Sequence, residues 1–161
     1  MQQKETANPR DITDLSAVSP AGRIIALDPG TKRVGVAVCD EHHVVCRPLA
    51  VIQRSSWKKV LLQVKSIVAE YDAIALVVGL PYNFDGTESE MTAVARDLAR
   101  KFGLSLEIPV YLQDERATTY EARGRLWKAG IEGEQMKALA DSEAATIILS
   151  DFLSRLAGGR D

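Results

Sequence analysis

The stretch DAIALVVGL, residues 72–80, constrains this chain more than any other. Almost every position is apolar, so neither face is left for water. A strand of this kind belongs in the middle of a sheet covered on both sides. Helical patterns stand before and after it. Behind Ser56 come Trp57, Val60, Leu61, Val64, Ile67 and Val68 at helical spacing; beyond the strand, a capping box at Thr87 and Glu90 is expected to open a second helix that Gly103 closes. Helical crossovers on either side imply parallel neighbours for this strand.

The segment before it reads differently. RIIALD and VGVAVC are rich in β-branched and small residues and are split by PGTKR, a hairpin signal. HVVCRPLAVI continues as a third strand, with Pro48 marking an edge or a bulge. IPVYLQ is a fifth strand, followed by a capping box at Thr118 and Glu121 and a helix ended by Gly130. A last helix is expected from about Glu134 to Leu156, with a stripe of Met136, Leu139, Ala140, Ala144, Ile147, Ile148 and Phe152. The expected architecture is α/β: a mixed five-stranded sheet, its first three strands antiparallel, with helices on both faces. Residues 1–22, polar and holding two prolines, read as a disordered tail, 23–157 as one domain, and 158–161 as a short C-terminal tail.

Composition narrows the partners. A formal charge of −2 is unusual for a chain that lives on nucleic-acid affinity, so a polyanion must be held by a local patch. Lys32 with Arg33, Lys58 with Lys59, Arg96 with Arg100 and Lys101, and Arg123 with Arg125 are the candidates, each of which is also an ordinary solvated surface pair. Cys39 and Cys46 match no zinc spacing, and a reducing cytoplasm is the expected compartment. No stretch has membrane-spanning length, so no membrane partner is expected. The neighbours His42 and His43 fall in an expected turn and read as exposed rather than catalytic.

Ligands of parallel sheets gather at the carboxyl ends of the strands. Those ends carry Asp28, the loop GLPYNFDG, and Asp114 with Glu115. Asp141 on the last helix, between alanines, adds a further acid at the margin of an apolar stripe, costly to bury unless paired or bound to an ion. Taken singly, Asp28 is a turn former, Glu115 a partner for Arg116, and Asp141 a partner for Lys137 one turn back. Taken together they form a set of hard oxygen donors without His or Cys, which favours Mg2+ or Mn2+. Two such ions can hold the attacking water and the leaving oxygen of a phosphodiester.

The ordered set LDPGTKRVGVAV, VVGLPYNFDGTES, DERATTYEA and DSEAATIIL resembles the YqgF/RuvX family over about Arg23 to Leu156. That resemblance implies a ribonuclease-H-like fold and a nuclease for structured nucleic acid, either maturing the 5′ end of pre-16S ribosomal RNA or acting on Holliday junctions. It carries catalytic and metal-binding roles onto Asp28, Glu115 and Asp141. Beside them, Asp114 reads as a ligand, a supporting partner or an anchor for the next helix, and Glu143 is an additional acid whose facing toward the metals is open. It makes Gly79, Leu80, Pro81, Asn83, Asp85 and Gly86 the lining of a substrate groove. Phe84 stands where Met is frequent in the family. Lys32, Arg33, Arg116 and the amides of the Gly30 turn are expected at phosphates. Cys39 reads as a buried, inert thiol, or else as a dimer cross-link.

Two rivals remain at this level. LDPGT followed by a glycine-containing strand also resembles the phosphate-gripping hairpin of sugar kinases and actin-like ATPases, which need two large domains. A non-catalytic nucleic-acid-binding or transcription-associated factor fits the acidic charge but not a set of mutually repelling carboxylates. Partners among ribosome-assembly or transcription proteins, and a monomer or homodimer, are equally open.

Overall fold

The computed structural model describes residues 15, 17–83, 85–115 and 133–158. The strands are β1 (Ile24–Pro29), β2 (Arg33–Cys39), β3 (Cys46–Gln53), β4 (Ala75–Leu80) and β5 (Val110–Asp114). The helices are α1 (Trp57–Glu70), α2 (Glu90–Ser105) and α3 (Gly133–Gly158). The sheet runs β3-β2-β1-β4-β5. β1, β2 and β3 pair antiparallel, and β4 joins β1 and β5 in parallel. This is the mixed five-stranded sheet, its first three strands antiparallel, that the strand pattern predicts. Every residue of β4 is buried, as its unbroken apolar run requires.

Strand alternation divides the side chains between two cores. Ile25, Leu27, Val34, Val36, Leu76 and Val78 pack with Val60 and Val64 of α1 and with Leu98 and Phe102 of α2. Ile24, Ala26, Ala37, Ala75, Val77 and Tyr111 point to the opposite side and meet Ala145, Ile148, Leu149 and Phe152 of α3. Pro48 lies on the edge strand β3, opposite Ala37, and a register shift falls between Val34 and Val36. The edge reading of Pro48 therefore holds, while the irregularity lies beyond Leu49, toward Ile52.

Three local expectations are corrected. α2 begins at Glu90 under a capping box made by Ser89 and Thr92, not Thr87 and Glu90. Thr87 is already engaged, since its amide and hydroxyl both donate to Asp85 Oδ1 at 2.9 and 2.6 Å. Gly103 is buried inside α2, which runs on to Ser105. The third strand starts at Cys46 because Asp40 Oδ1 accepts from the amides of Val44 and Val45 at 2.7 and 2.8 Å and holds them in a turn. In that turn His43 is half-buried, with Nε2 2.7 Å from the Gly22 carbonyl oxygen, while His42 is exposed. The N-terminal tail up to residue 14, Phe84, Arg116, the Thr118–Glu121 capping box, Gly130 and the side chains of Met136, Lys137 and Leu139 lie outside the described residues. No helix among the described residues is long and apolar enough to cross a membrane.

Candidate active site

Asp28 faces α3, on the same side of β1 as Ile24 and Ala26. Its neighbours across the sheet decide what can approach it. On β2 the residue paired with Asp28 is Gly35. On β4, the pairing of Leu27 with Val78 brings Gly79 alongside Asp28. The acid is therefore flanked by two residues without side chains, and other groups fill both gaps.

At Gly35 the occupant is the backbone of α3. A Cβ there would lie 2.0 Å from the Asp141 carbonyl oxygen and 2.4 Å from its carbonyl carbon. Only glycine lets the helix settle this close to the strand, and the contact fixes Asp141 beside Asp28. Ser142 adds a tie by donating to the Leu49 carbonyl oxygen at 2.9 Å. Ala140, Ala144 and Ala145, all buried, keep the approach clear.

At Gly79 the occupant is a carboxyl group. A Cβ there would lie 2.9 Å from Glu115 Oε2 and 2.5 Å from Ile148 Cδ1. Glu115 follows β5 directly, and its amide donates to the Leu80 carbonyl oxygen at 3.0 Å, which aims the side chain back over the sheet. Asp28 and Glu115 are 6% and 4% exposed, so both are essentially out of water. Glu115 Oε2 is buried without a hydrogen-bond partner. Burial first, then the Asp28 charge, a hydrogen bond with Asp28, and the charges of Asp114 and Asp141 push the Glu115 carboxyl well above the usual carboxylate range.

The third acid is held differently. Arg33 Nε donates to Asp141 Oδ2 at 3.0 Å, with the two side chains 12% and 22% exposed. Asp141 thus takes part in a pair spanning 108 positions of sequence; the side chain of Lys137, its expected partner one turn back, lies outside the described residues. Among the described residues no three His, Cys, Asp or Glu side chains already stand as a ready set of ion ligands. The donor chemistry nonetheless fits a hard divalent cation. Asp28 and Glu115 are buried together, one Glu115 oxygen has no hydrogen-bond partner, and burial with the neighbouring negative charges raises the Glu115 carboxyl, a cost that a bound cation would relieve.

The expected groove residues divide into two groups. Gly79 and Leu80 are buried parts of β4, and Leu80 belongs to the core on the α1/α2 side. Pro81 and Gly86 are half-buried, and Asn83 and Asp85 are exposed on the loop that follows. That loop is closed by the Tyr82–Glu88 bridge and by Gly86, whose φ of 86° places it in the left-handed region. Gly30 gives its amide to the Arg33 carbonyl oxygen at 2.9 Å, so that donor serves the turn. Lys32 is exposed at the same turn. Asp114 and Glu143 are both half-buried. Sequence reasoning missed Gly35; its signal was a glycine inside a strand, which marks a close approach.

Comparison with known proteins finds relatives along most of the chain. The model of a family described as "RuvX: Holliday junction resolvase" matches residues 22–155. A protein of Thiobacillus denitrificans named "Putative pre-16S rRNA nuclease" is 40% identical over 138 residues, 86% of this chain and 95% of its own. One of the same name from Syntrophus aciditrophicus is 36% identical over 83% of this chain and 89% of its own. Among solved structures, T. thermophilus RuvC in complex with a Holliday junction substrate aligns with a TM-score of 0.49 and 19% identity, over 83% of this chain and 95% of that one.

Proposed function

The chain belongs to the RuvX family, and from that premise we propose that it is a metal-dependent nuclease whose first substrate is the 5′ end of precursor 16S ribosomal RNA. The observation that carries this reading is the pair of glycines flanking Asp28, one filled by the backbone of Asp141 and the other by the carboxyl group of Glu115. Burying repelling acids lowers stability and serves no packing purpose. They are useful where a cation is to be held.

Asp28, Glu115 and Asp141 would hold the ion or ion pair, with Asp28 lying between the groups that fill the two glycine gaps. When bound, two divalent ions supply an activated water and charge stabilisation at the leaving oxygen of the phosphodiester. The protein's part is to exclude bulk water through the packed Ile148 and Leu149 behind the acids, and to fix the carboxylates on rigid strand ends. Burial and the Asp28 charge favour the protonated form of Glu115, so ion binding there would be linked to proton release. Lys32 and the exposed loop bearing Asn83 and Asp85 are proposed to steer the nucleic-acid backbone toward the acids. Arg116 is proposed to do the same.

A cleavage panel tests this. A precursor 16S leader RNA and a four-way DNA junction are incubated with the protein in Mg2+ or Mn2+, with Asp28→Ala as control. Trimming of the leader by the wild type, and its loss by about a thousandfold in the variant, is expected for a metal site that contributes several kcal/mol. Cutting of the junction alone would reassign the substrate to branched DNA. No cutting of either, or equal cutting by Asp28→Ala, would remove the nuclease reading.

A further inference from the structure

We infer that Arg33 occupies on Asp141 the place of a cation, and that its displacement couples ion binding to capture of a nucleic-acid phosphate. The inference rests on the metal-dependent reading above.

The geometry follows from strand alternation. Arg33 and Gly35 lie two residues apart on β2 and therefore on the same face, toward α3. Gly35 brings the Asp141 backbone onto that face, and the Arg33 side chain rises directly beside it. Nε then meets Oδ2 at 3.0 Å, in a setting where both side chains are mostly removed from water. A guanidinium on a carboxylate uses the lone pairs that an ion would use. Freeing the Asp141 oxygen that Arg33 engages requires the guanidinium to be displaced.

The base of Arg33 does not need to move. The Gly30 amide donates to the Arg33 carbonyl oxygen at 2.9 Å, and Arg54 braces the same turn by donating from Nη1 to the Gly30 carbonyl oxygen at 2.7 Å. The turn fixes the backbone while the side chain rotates. A displaced guanidinium is a cation beside other cations, and the group that can satisfy it there is the phosphate of the substrate, which it is shaped to grip bidentately. Binding free energies are reciprocal, so an ion that releases Arg33 strengthens nucleic-acid binding, and nucleic acid that takes Arg33 strengthens ion binding.

The experiment titrates Mn2+ into the full-length wild type, Arg33→Gln and Arg33→Lys, reading free ion by electron paramagnetic resonance in the absence of nucleic acid. Removing the competing cation should tighten Mn2+ binding on the order of tenfold in Arg33→Gln, as expected for loss of one charge-assisted hydrogen bond. Arg33→Lys, which keeps the charge without the planar fork, should fall between. A second arm measures affinity for a blunt RNA duplex with and without Ca2+ as the probe ion. The gain that Ca2+ gives the wild type should shrink in Arg33→Gln. Circular dichroism confirms that each variant is folded, and Arg33→Lys carries the test if Arg33→Gln is not. Equal or weaker Mn2+ binding by a folded variant overturns the inference while leaving the metal reading intact. Failure of the wild type itself to bind Mn2+ overturns the metal reading, and the inference with it.

Discussion

The two faces of the sheet are covered by opposite means. Toward α1 and α2 the sheet offers Leu27, Val36, Leu76 and Val78, and the helices answer with Val60, Val64, Leu98 and Phe102. Trp57 stacks against Phe102 with ring centroids 5.0 Å apart, so this face is a thick layer of large side chains. Toward α3 the sheet offers Ile24, Val77 and Tyr111 together with the small residues Ala26, Gly35, Ala37, Ala75 and Gly79, the two glycines beside Asp28. There the helix backbone itself approaches the strands. A thick layer keeps elements apart and tolerates adjustment. A thin one transmits position, and the acids sit on the thin side. Small residues are thus the means by which a helix delivers Asp141 to a strand end.

The sharpest way to break that contrast pairs one substitution from each face. Phe102→Ala should cost about 3–5 kcal/mol of stability by opening a cavity, yet leave cleavage per folded molecule close to wild type. Gly35→Ala should cost about 1–3 kcal/mol or more, because its Cβ would meet backbone rather than a yielding side chain. Whatever folds should cleave poorly, since Asp141 is pushed off its place. Urea melts and rates normalised to folded protein give both numbers. If Gly35→Ala cleaves normally, the close approach of α3 is only a packing detail.

Much of this arrangement was legible in sequence, for identifiable reasons. The hairpin, the central strand β4 and the Ser56 cap are encoded within a few residues of one another, and the acids fall at strand ends where a topological rule looks for them. The start of α2 was ambiguous because Thr87 and Ser89 both head plausible caps; Asp85 resolves it by engaging Thr87. The truncated third strand depends on Asp40 gathering three amides from His42, Val44 and Val45, a side-chain choice that no strand propensity contains. The Arg33–Asp141 pair joins residues 108 positions apart. Nothing local announces it, and charge alone suggested a phosphate contact.

A second test asks whether the face toward α3 is dry along its whole length, including the end remote from the acids. Cys39 and Cys46 pair across β2 and β3 there. Burial, followed by the neighbouring Cys39 and Asp40, pushes the Cys46 thiol up from 9.0 to about 11. Only the thiolate is a nucleophile, so at mildly alkaline pH Cys46 should alkylate roughly a hundredfold more slowly than an unshifted thiol. Iodoacetamide labelling followed by mass spectrometry across pH reads this directly. Rapid labelling near pH 8 would mean that water reaches this end.

Gly79→Ala should act more gently than its counterpart on β2. Its Cβ would meet Ile148 Cδ1 and Glu115 Oε2, both side-chain ends that can shift. Stability should fall by about 1 kcal/mol. Cleavage should drop by about tenfold, the equivalent of about 1.4 kcal/mol in the barrier, as the Glu115 carboxyl is displaced. A cleavage loss as large as that of Gly35→Ala would show that the two flanking gaps are equally strict.

The smallest effect separates the needs of folding from those of catalysis at one residue. Because burial and the Asp28 charge raise the Glu115 value in the folded state above 4.5, the folded chain holds a proton that the unfolded chain has lost. Between the unfolded value and the raised folded value, stability therefore falls as pH rises; above the folded value the cost is complete. Glu115→Gln keeps the shape and abolishes the titration. In EDTA it should melt higher than wild type at about pH 8, and the difference should vanish as pH falls below about 4.5. The same variant should cleave far less, because a neutral amide is a poor ligand for a hard cation. A wild type that gains stability relative to the variant as pH climbs through this range would mean that Glu115 is ionised and satisfied in the folded chain, and the thin face would then be an ordinary core with a salt link at its edge.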